Sequence, residues 1–227
     1  MPVYWLESDS LSFPPVERAF PDGLLAVGGD LSINRLLVAY SQGIFPWFNP
    51  QDPILWWSPD PRLVLFPKNL HVAKSMRVYF NRQLYQVTFN RHFEKVMQTC
   101  GEISRKNQEG SWIHDDMIEA YSELHRAGYA HSVEVWDKDQ LVGGVYGVAL
   151  GKVFFGESMF ALKPNASKFG FISLVKILAE LDFTVIDCQQ ETAHLQSLGA
   201  ESISRDSFTE ILKTNKELYS FEKLILQ

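Results

Sequence analysis

The chain has 227 residues, 46% hydrophobic and 21% charged, with a formal net charge of −6. That balance describes a globular protein with one ample core or a small domain beside a larger one. It holds no run of about 18 apolar residues that would span a membrane as a helix. Cys100 and Cys188 are the only cysteines, too few for a disulfide scaffold. A reducing, cytoplasmic setting is expected, because the N-terminal MPVYWLESDSLS lacks the basic stretch and apolar run of an export signal. The six histidines are scattered, with neither HExxH nor paired CxxC, so no metal site is expected.

In chain order, the first unit ends near Asp60. It opens with a short helix from Ile33 to Gln42, capped by Ser32 or Asp30. Residues 43–62, GIFPWFNPQDPILWWSPDPR, then hold three tryptophans, two phenylalanines and five prolines. Proline lacks an N–H and restricts its predecessor, so a stiff, irregular surface displaying flat rings is expected. Such rings either stack on an exposed nucleobase or cap a core, and composition leaves both open.

The second unit runs from Arg62 to about Tyr129. It holds helices over Asn90–Cys100 and His114–Arg126, the latter with Met117, Ile118, Tyr121 and Leu124 on one face. Residues 62–106 carry nine Lys/Arg against Glu94 and Glu102, a basic block in an acidic protein. That is either a phosphate-binding footprint or a solvated face.

The third unit is the most regular. Ser132–Trp136 alternates as a strand, DKDQ turns, and LVGGVYGVALG and KVFFGESMFA follow as further strands of an antiparallel meander. Asn165 then caps a helix with Phe171, Leu174, Val175, Leu178 and Leu181 at helical spacing. TVIDCQ gives another strand, followed by a helix ending near Gly199 and a last helix from Asp206 to about Lys216. This order predicts an α+β fold, with helices on a mainly antiparallel sheet. Two domains are expected, residues 1–61 and residues 62–227.

Asp187 and Gln189 lie two apart on a predicted strand, so both point to one face and Cys188 to the other. Glu157 sits in an aromatic strand, where a lone carboxylate is costly unless paired or functional.

The ordered set GLLAVGGDLS, GIFPWF, WWSPDPR, GGVYGVALG, FGESMF, NASK, DCQ and SLGA, over residues 23–200, closely resembles the bacterial leucyl/phenylalanyl-tRNA–protein transferase family. The resemblance implies a larger domain of acetyltransferase-like (GNAT-like) fold. It also implies transfer of Leu or Phe, and less well Met, from aminoacyl-tRNA to the α-amine of proteins beginning with Arg or Lys, marking them for N-end rule degradation. An aminoacyl ester is already activated, so no ATP, metal or redox cofactor is expected.

Carried over position by position, the resemblance makes Asp187, Gln189 and Glu157 the catalytic set. Gln189 would hold the amine, with Asp187 orienting it or taking its proton. The aminoacyl side chain would enter a pocket of Val145, Phe154, Phe171, Leu174 and Ile186. Val145 stands where some relatives carry Met. Trp47 and Trp112, with Tyr121 beside them, would stack the 3′-terminal adenosine, while Trp56 and Trp57 pack the interdomain seam. Arg62, Lys74, Arg77, Arg82 and Lys106 would meet acceptor-stem phosphates. Phe154 and Glu157 belong on opposite strand faces, so a bulge at Gly156 is expected to bring both to the site.

Two rivals stand beside this reading. A CoA-dependent N-acyltransferase needs a Gly-rich loop opening a helix, and none precedes residues 166–182. A non-catalytic tRNA 3′-end binding module would explain the tryptophans and the basic block but leave the two carboxylates idle. Cys188 as a nucleophile lacks a histidine placed beside it.

Overall fold

The computed structural model describes residues 3–103 and 111–215. Its elements in order are β1 (Tyr4–Leu6), β2 (Leu24–Gly28), α1 (Ile33–Ser41), β3 (Phe45–Pro46), β4 (Leu55–Trp57), β5 (Arg62–Leu65), α2 (Lys74–Asn81), β6 (Gln86–Phe89), α3 (Phe93–Glu102) and α4 (Asp115–Arg126). There follow β7 (Ala130–Asp137), β8 (Gln140–Leu150), β9 (Val153–Ala161), α5 (Ala166–Glu180), β10 (Val185–Gln189), α6 (Ala193–Gln196), β11 (Glu201–Ile203) and α7 (Arg205–Thr214). The fold is α+β, as the element order predicts.

A four-stranded sheet, β1-β2-β4-β3, gathers the N-terminal strands. The Pro/Trp segment is therefore less irregular than expected. Phe45–Pro46 and Leu55–Trp57 pair with each other, with the proline on the edge strand where its missing N–H breaks no ladder. Trp56 is fully buried and donates its indole N–H to the Gly28 carbonyl at 2.9 Å.

The larger sheet has seven strands in the order β11-β5-β10-β9-β8-β7-β6. Among the described residues its one parallel pair is β9–β10, joined by the crossover helix α5. Apolar side chains cover both faces. Val96, Met117, Tyr146 and Phe155 join the N-terminal sheet, α1 and α7 in one cluster; Val145, Phe154, Phe171, Leu174 and Ile186 join α2, α5 and α6 in the other. Gly147 allows the closest approach in this sheet. A Cβ there would meet the Phe155 carbonyl and come within 2.6 Å of the Phe154 ring.

Several details depart from expectation. The helix expected from Asn90 begins at Phe93, because Asn90 adopts φ 59° and its side chain bonds His131 and the Ser132 N–H instead. Asn165 precedes α5 in a left-handed conformation, and its side chain makes no cap hydrogen bond. Ser32 does cap α1, accepting from the Arg35 N–H. Strand β5 escaped a periodicity reading because a central strand buried on both faces reads RLVL, without alternation. Among the described residues, no helix is long and apolar enough to cross a membrane.

Candidate active site

Strands β9 and β10 run parallel through the pairs Val153–Val185, Phe154–Ile186 and Phe155–Asp187, and there the pairing stops. Both strands distort at that point. On β9 the register with β8 slips between Gly156 and Ser158, leaving Glu157 as the extra residue of a bulge. On β10 the register with β5 slips between Asp187 and Gln189, and Gln189 turns to φ 62°. The expected irregularity at Gly156 is thus present, with Gly156 itself paired to Gly147 and Glu157 displaced. The two distortions open a fork whose mouth is a cleft of about 760 Å³.

Glu157 and Gln189 meet at this mouth, the Gln189 Nε2 donating to Glu157 Oε1 at 3.1 Å. The Tyr40 hydroxyl donates to the same oxygen at 2.8 Å, and the Tyr121 hydroxyl, bonded to the Tyr40 hydroxyl, lies 3.4 Å from Oε2. Burial dominates the Glu157 carboxyl and, with Asp187 nearby, pushes it up to about 8 against the opposing Tyr40 and Tyr121 bonds. Burial likewise holds both phenols well above their ordinary range, with Glu157 adding to the effect.

Asp187 lies behind this pair. Arg62 grips it with two bonds, Nε to Oδ1 at 2.8 Å and Nη2 to Oδ2 at 2.6 Å, and the Gln189 N–H adds a third at 2.9 Å. Arg62 is itself held between the rings of Phe45 and Phe208, at 4.8 and 4.9 Å.

One expectation is corrected here. Arg62 is 1% exposed and its charge is spent on Asp187, so it is no surface contact for phosphate. Asp187 is held on both oxygens by N–H donors, a geometry that fits the orienting role expected of it by fixing Arg62 and the turn at Gln189. Cys188 faces away from Asp187, toward the second apolar cluster, as strand alternation predicts. Burial, then Asp187, raises its thiol far above the ordinary range, which leaves it without thiolate character.

Of the expected pocket, Val145 and Phe171 line the cleft, whereas Phe154, Leu174 and Ile186 pack behind them in the same cluster. Met159, the cross-strand partner of Val145, completes the apolar wall and was not anticipated. Trp47 and Trp112 also line the cleft, with Phe45 and Asn49. Trp47 is 37% exposed and braced by Trp57, whose indole donates to its carbonyl at 2.6 Å. Tyr121 is corrected as a stacking residue. It is 0% exposed and committed to Glu157 and Tyr40, so its ring has no open face in the cleft. Lys74, Arg77 and Arg82 are exposed on and just after α2, while Lys106 lies outside the described residues. Tyr40 was also missed. The available signal was its place on the buried face of the 33–41 helix, where a phenol needs a partner for its polar tip.

Comparison with known proteins converges on one family. Residues 64–213 match the family model described as leucyl/phenylalanyl-tRNA protein transferase, and residues 29–60 match its N-terminal domain. A leucyl/phenylalanyl-tRNA–protein transferase of Pseudomonas fluorescens Pf0-1 is 55% identical over 210 residues, 92% of each chain. One of Nitrosospira multiformis is 57% identical over 213 residues, covering 93% of this chain and 91% of that one. Solved structures show looser likenesses. A GCN5-related N-acetyltransferase from Kribbella flavida matches with TM-score 0.41 and 10% identity over 74% of this chain and 59% of its own. L-PGS from Bacillus licheniformis matches at 0.42 and 12%, over 72% and 55%.

Proposed function

The chain belongs to the leucyl/phenylalanyl-tRNA–protein transferase family and is a transferase, and on that premise we propose that it moves Leu or Phe, and Met less well, onto the N-terminal α-amine of proteins beginning with Arg or Lys. The donor is the aminoacyl-tRNA, the setting the cytoplasm, and the consequence for the acceptor is degradation under the N-end rule. The observation that carries this reading is the fork: Glu157 and Gln189 meet at the end of a parallel strand pair, over a cleft with one apolar and one aromatic wall.

The parts divide by chemistry. The aminoacyl side chain enters between Val145, Met159 and Phe171, and the terminal adenosine stacks on Trp47 and Trp112. A slot of this kind separates side chains differing by a methylene by only about 1–3 kcal/mol, so several apolar donors are accepted. Gln189 presents its amide to the incoming amine, and the Asp187–Arg62 pair fixes the backbone from which Gln189 projects.

Glu157 exchanges the proton. A free α-amine has a pKa of about 8, close to that of this buried carboxyl, so one proton passes between them with little driving force either way. An ammonium group entering beside the protonated carboxyl therefore releases one proton to solvent, and the remaining proton is shared. The free amine attacks the ester carbonyl, the carbon–oxygen bond to the ribose breaks, the Glu157 carboxyl gives its proton to the departing 3′-oxygen, and the proton shed by the new amide nitrogen returns to Glu157. Proximity supplies most of the acceleration.

The test is incubation with labelled Leu-tRNA and a Lys-initial peptide, without ATP or added metal. Label in the peptide is the expected result. Retention of the tRNA with no transfer would overturn the reading in favour of a binding module.

A further inference from the structure

The cleft has a third zone besides its apolar and aromatic walls. Ser167 at the start of α5, Gln190 after β10, and Thr192 and His194 at α6 form a polar, uncharged side. Among the described residues that line the cleft, His194 alone keeps a buried side-chain polar atom, Nε2, without a hydrogen-bond partner. Its backbone is fixed, since the Thr192 hydroxyl caps α6 at the Leu195 N–H (3.2 Å) and the His194 carbonyl accepts from the Ser197 hydroxyl (2.6 Å). The ring is held neutral at neutral pH because burial, then Lys168, lowers its basicity. A neutral imidazole offers one N–H and one lone pair.

A buried ring nitrogen with no partner is destabilising, and it suits a position that a ligand completes. The donor's side chain and base are matched by the other two walls. What remains is the acceptor, and beyond its first residue an acceptor of arbitrary sequence offers only uncharged main-chain N–H and C=O groups.

We infer that the wall of Ser167, Gln190 and His194 holds the acceptor protein's main chain beyond its first residue, with His194 Nε2 as the fixing contact. This rests on the acyl-transfer reading above. It makes His194 a binding residue for the second substrate, and it explains how many acceptors sharing only an N-terminal residue can be used.

The experiment compares two acceptors, a Lys-initial tetrapeptide and lysinamide, which carries no peptide group beyond its own amide. One neutral hydrogen bond is worth roughly a three- to tenfold change in affinity. His194→Phe, which keeps a flat ring and loses the nitrogen, is expected to raise the tetrapeptide KM by about that factor. The KM values for lysinamide and Leu-tRNA should move less than about twofold, and His194→Asn should recover part of the loss. Should His194→Phe not fold, His194→Ala is read in the same comparison. Equal losses on both acceptors, a raised donor KM, or an unchanged tetrapeptide KM would each overturn the assignment. Failure of the wild-type protein to transfer to either acceptor would instead sink the acyl-transfer reading, so the two failures are separable.

Discussion

One buried and one part-buried carboxylate, Asp187 and Glu157, stand at the fork between β9 and β10, and the protein holds them in opposite ways. Asp187 is closed by a two-bonded guanidinium and a backbone N–H. Glu157 meets two phenols and an amide, all uncharged, and burial keeps its proton on to about pH 8. The difference separates scaffold from site. A carboxylate whose charge is matched inside the fold is fixed in place, while one given hydrogen bonds without a bonded cation is left to be completed by a substrate's charge.

Breaking the closed pair should have the largest effect. Asp187→Asn leaves Arg62 buried and unmatched, and such a change is worth about 3–5 kcal/mol. For a chain of this size that lowers Tm by roughly 10 °C. Thermal unfolding reads the loss, and transfer should fall with it because Gln189 loses its anchor. A Tm within about 2 °C of wild type would mean that Asp187 is not the scaffold member of the comparison.

The open carboxyl predicts a pH signature. The unfolded chain releases the Glu157 proton near its ordinary 4.5, and the folded protein keeps it to about 8. Folded protein therefore binds more protons between those values, and stability declines as pH rises through that window. Glu157→Gln should flatten the decline, be more stable than wild type at pH 8.5, and transfer poorly. An unchanged Tm–pH curve in that variant would remove Glu157 as its source.

Tyr40→Phe sharpens the same point. Removing the 2.8 Å donor takes away a bond that favours the ionised carboxyl, so the Glu157 pKa rises further. The rising limb of kcat/KM against pH should move to higher pH, with about 1–2 kcal/mol lost in stability. A limb moving to lower pH would contradict the donor role of Tyr40.

The smallest effect belongs to the surface, where charge meets solvent. Lys74→Ala with Arg77→Ala should weaken every tRNA donor severalfold and reduce the salt slope of binding by about two. A minimal aminoacyl-adenosine donor should be used unchanged. Equal loss on both donors would show that α2 acts through the fold and not through phosphate contact.

The regular third unit was legible because its patterns are local. Within the β7–β8–β9 meander Ser132–Trp136 alternates and the apolar runs of β8 and β9 are long and bounded by turns, while α5 repeats its apolar residues at helical spacing, so local pattern places all four to within two or three residues. Short strands such as Tyr4–Leu6, Gln86–Phe89 and Glu201–Ile203 gave no signal, since three or four residues are too few for a period to develop and their partners are distant in sequence. The site was legible in its members and less so in their roles. Glu157, Gln189, Trp47 and Trp112, which the family resemblance singled out, line one cleft, yet Arg62 looked like one more surface cation of a basic block. Only its long-range partner, 125 residues away, shows what its charge does.

The sequence by itself determined the fold class and the family and pointed to Glu157 and Gln189, because strand and helix periods and ordered motifs are written in neighbouring residues. Which carboxylate carries a counter-ion, which tyrosine is sealed away from the cleft, and which ring nitrogen waits without a partner were decided by tertiary structure alone. Burial and charge pairing are properties of the space between segments, and no local pattern encodes them.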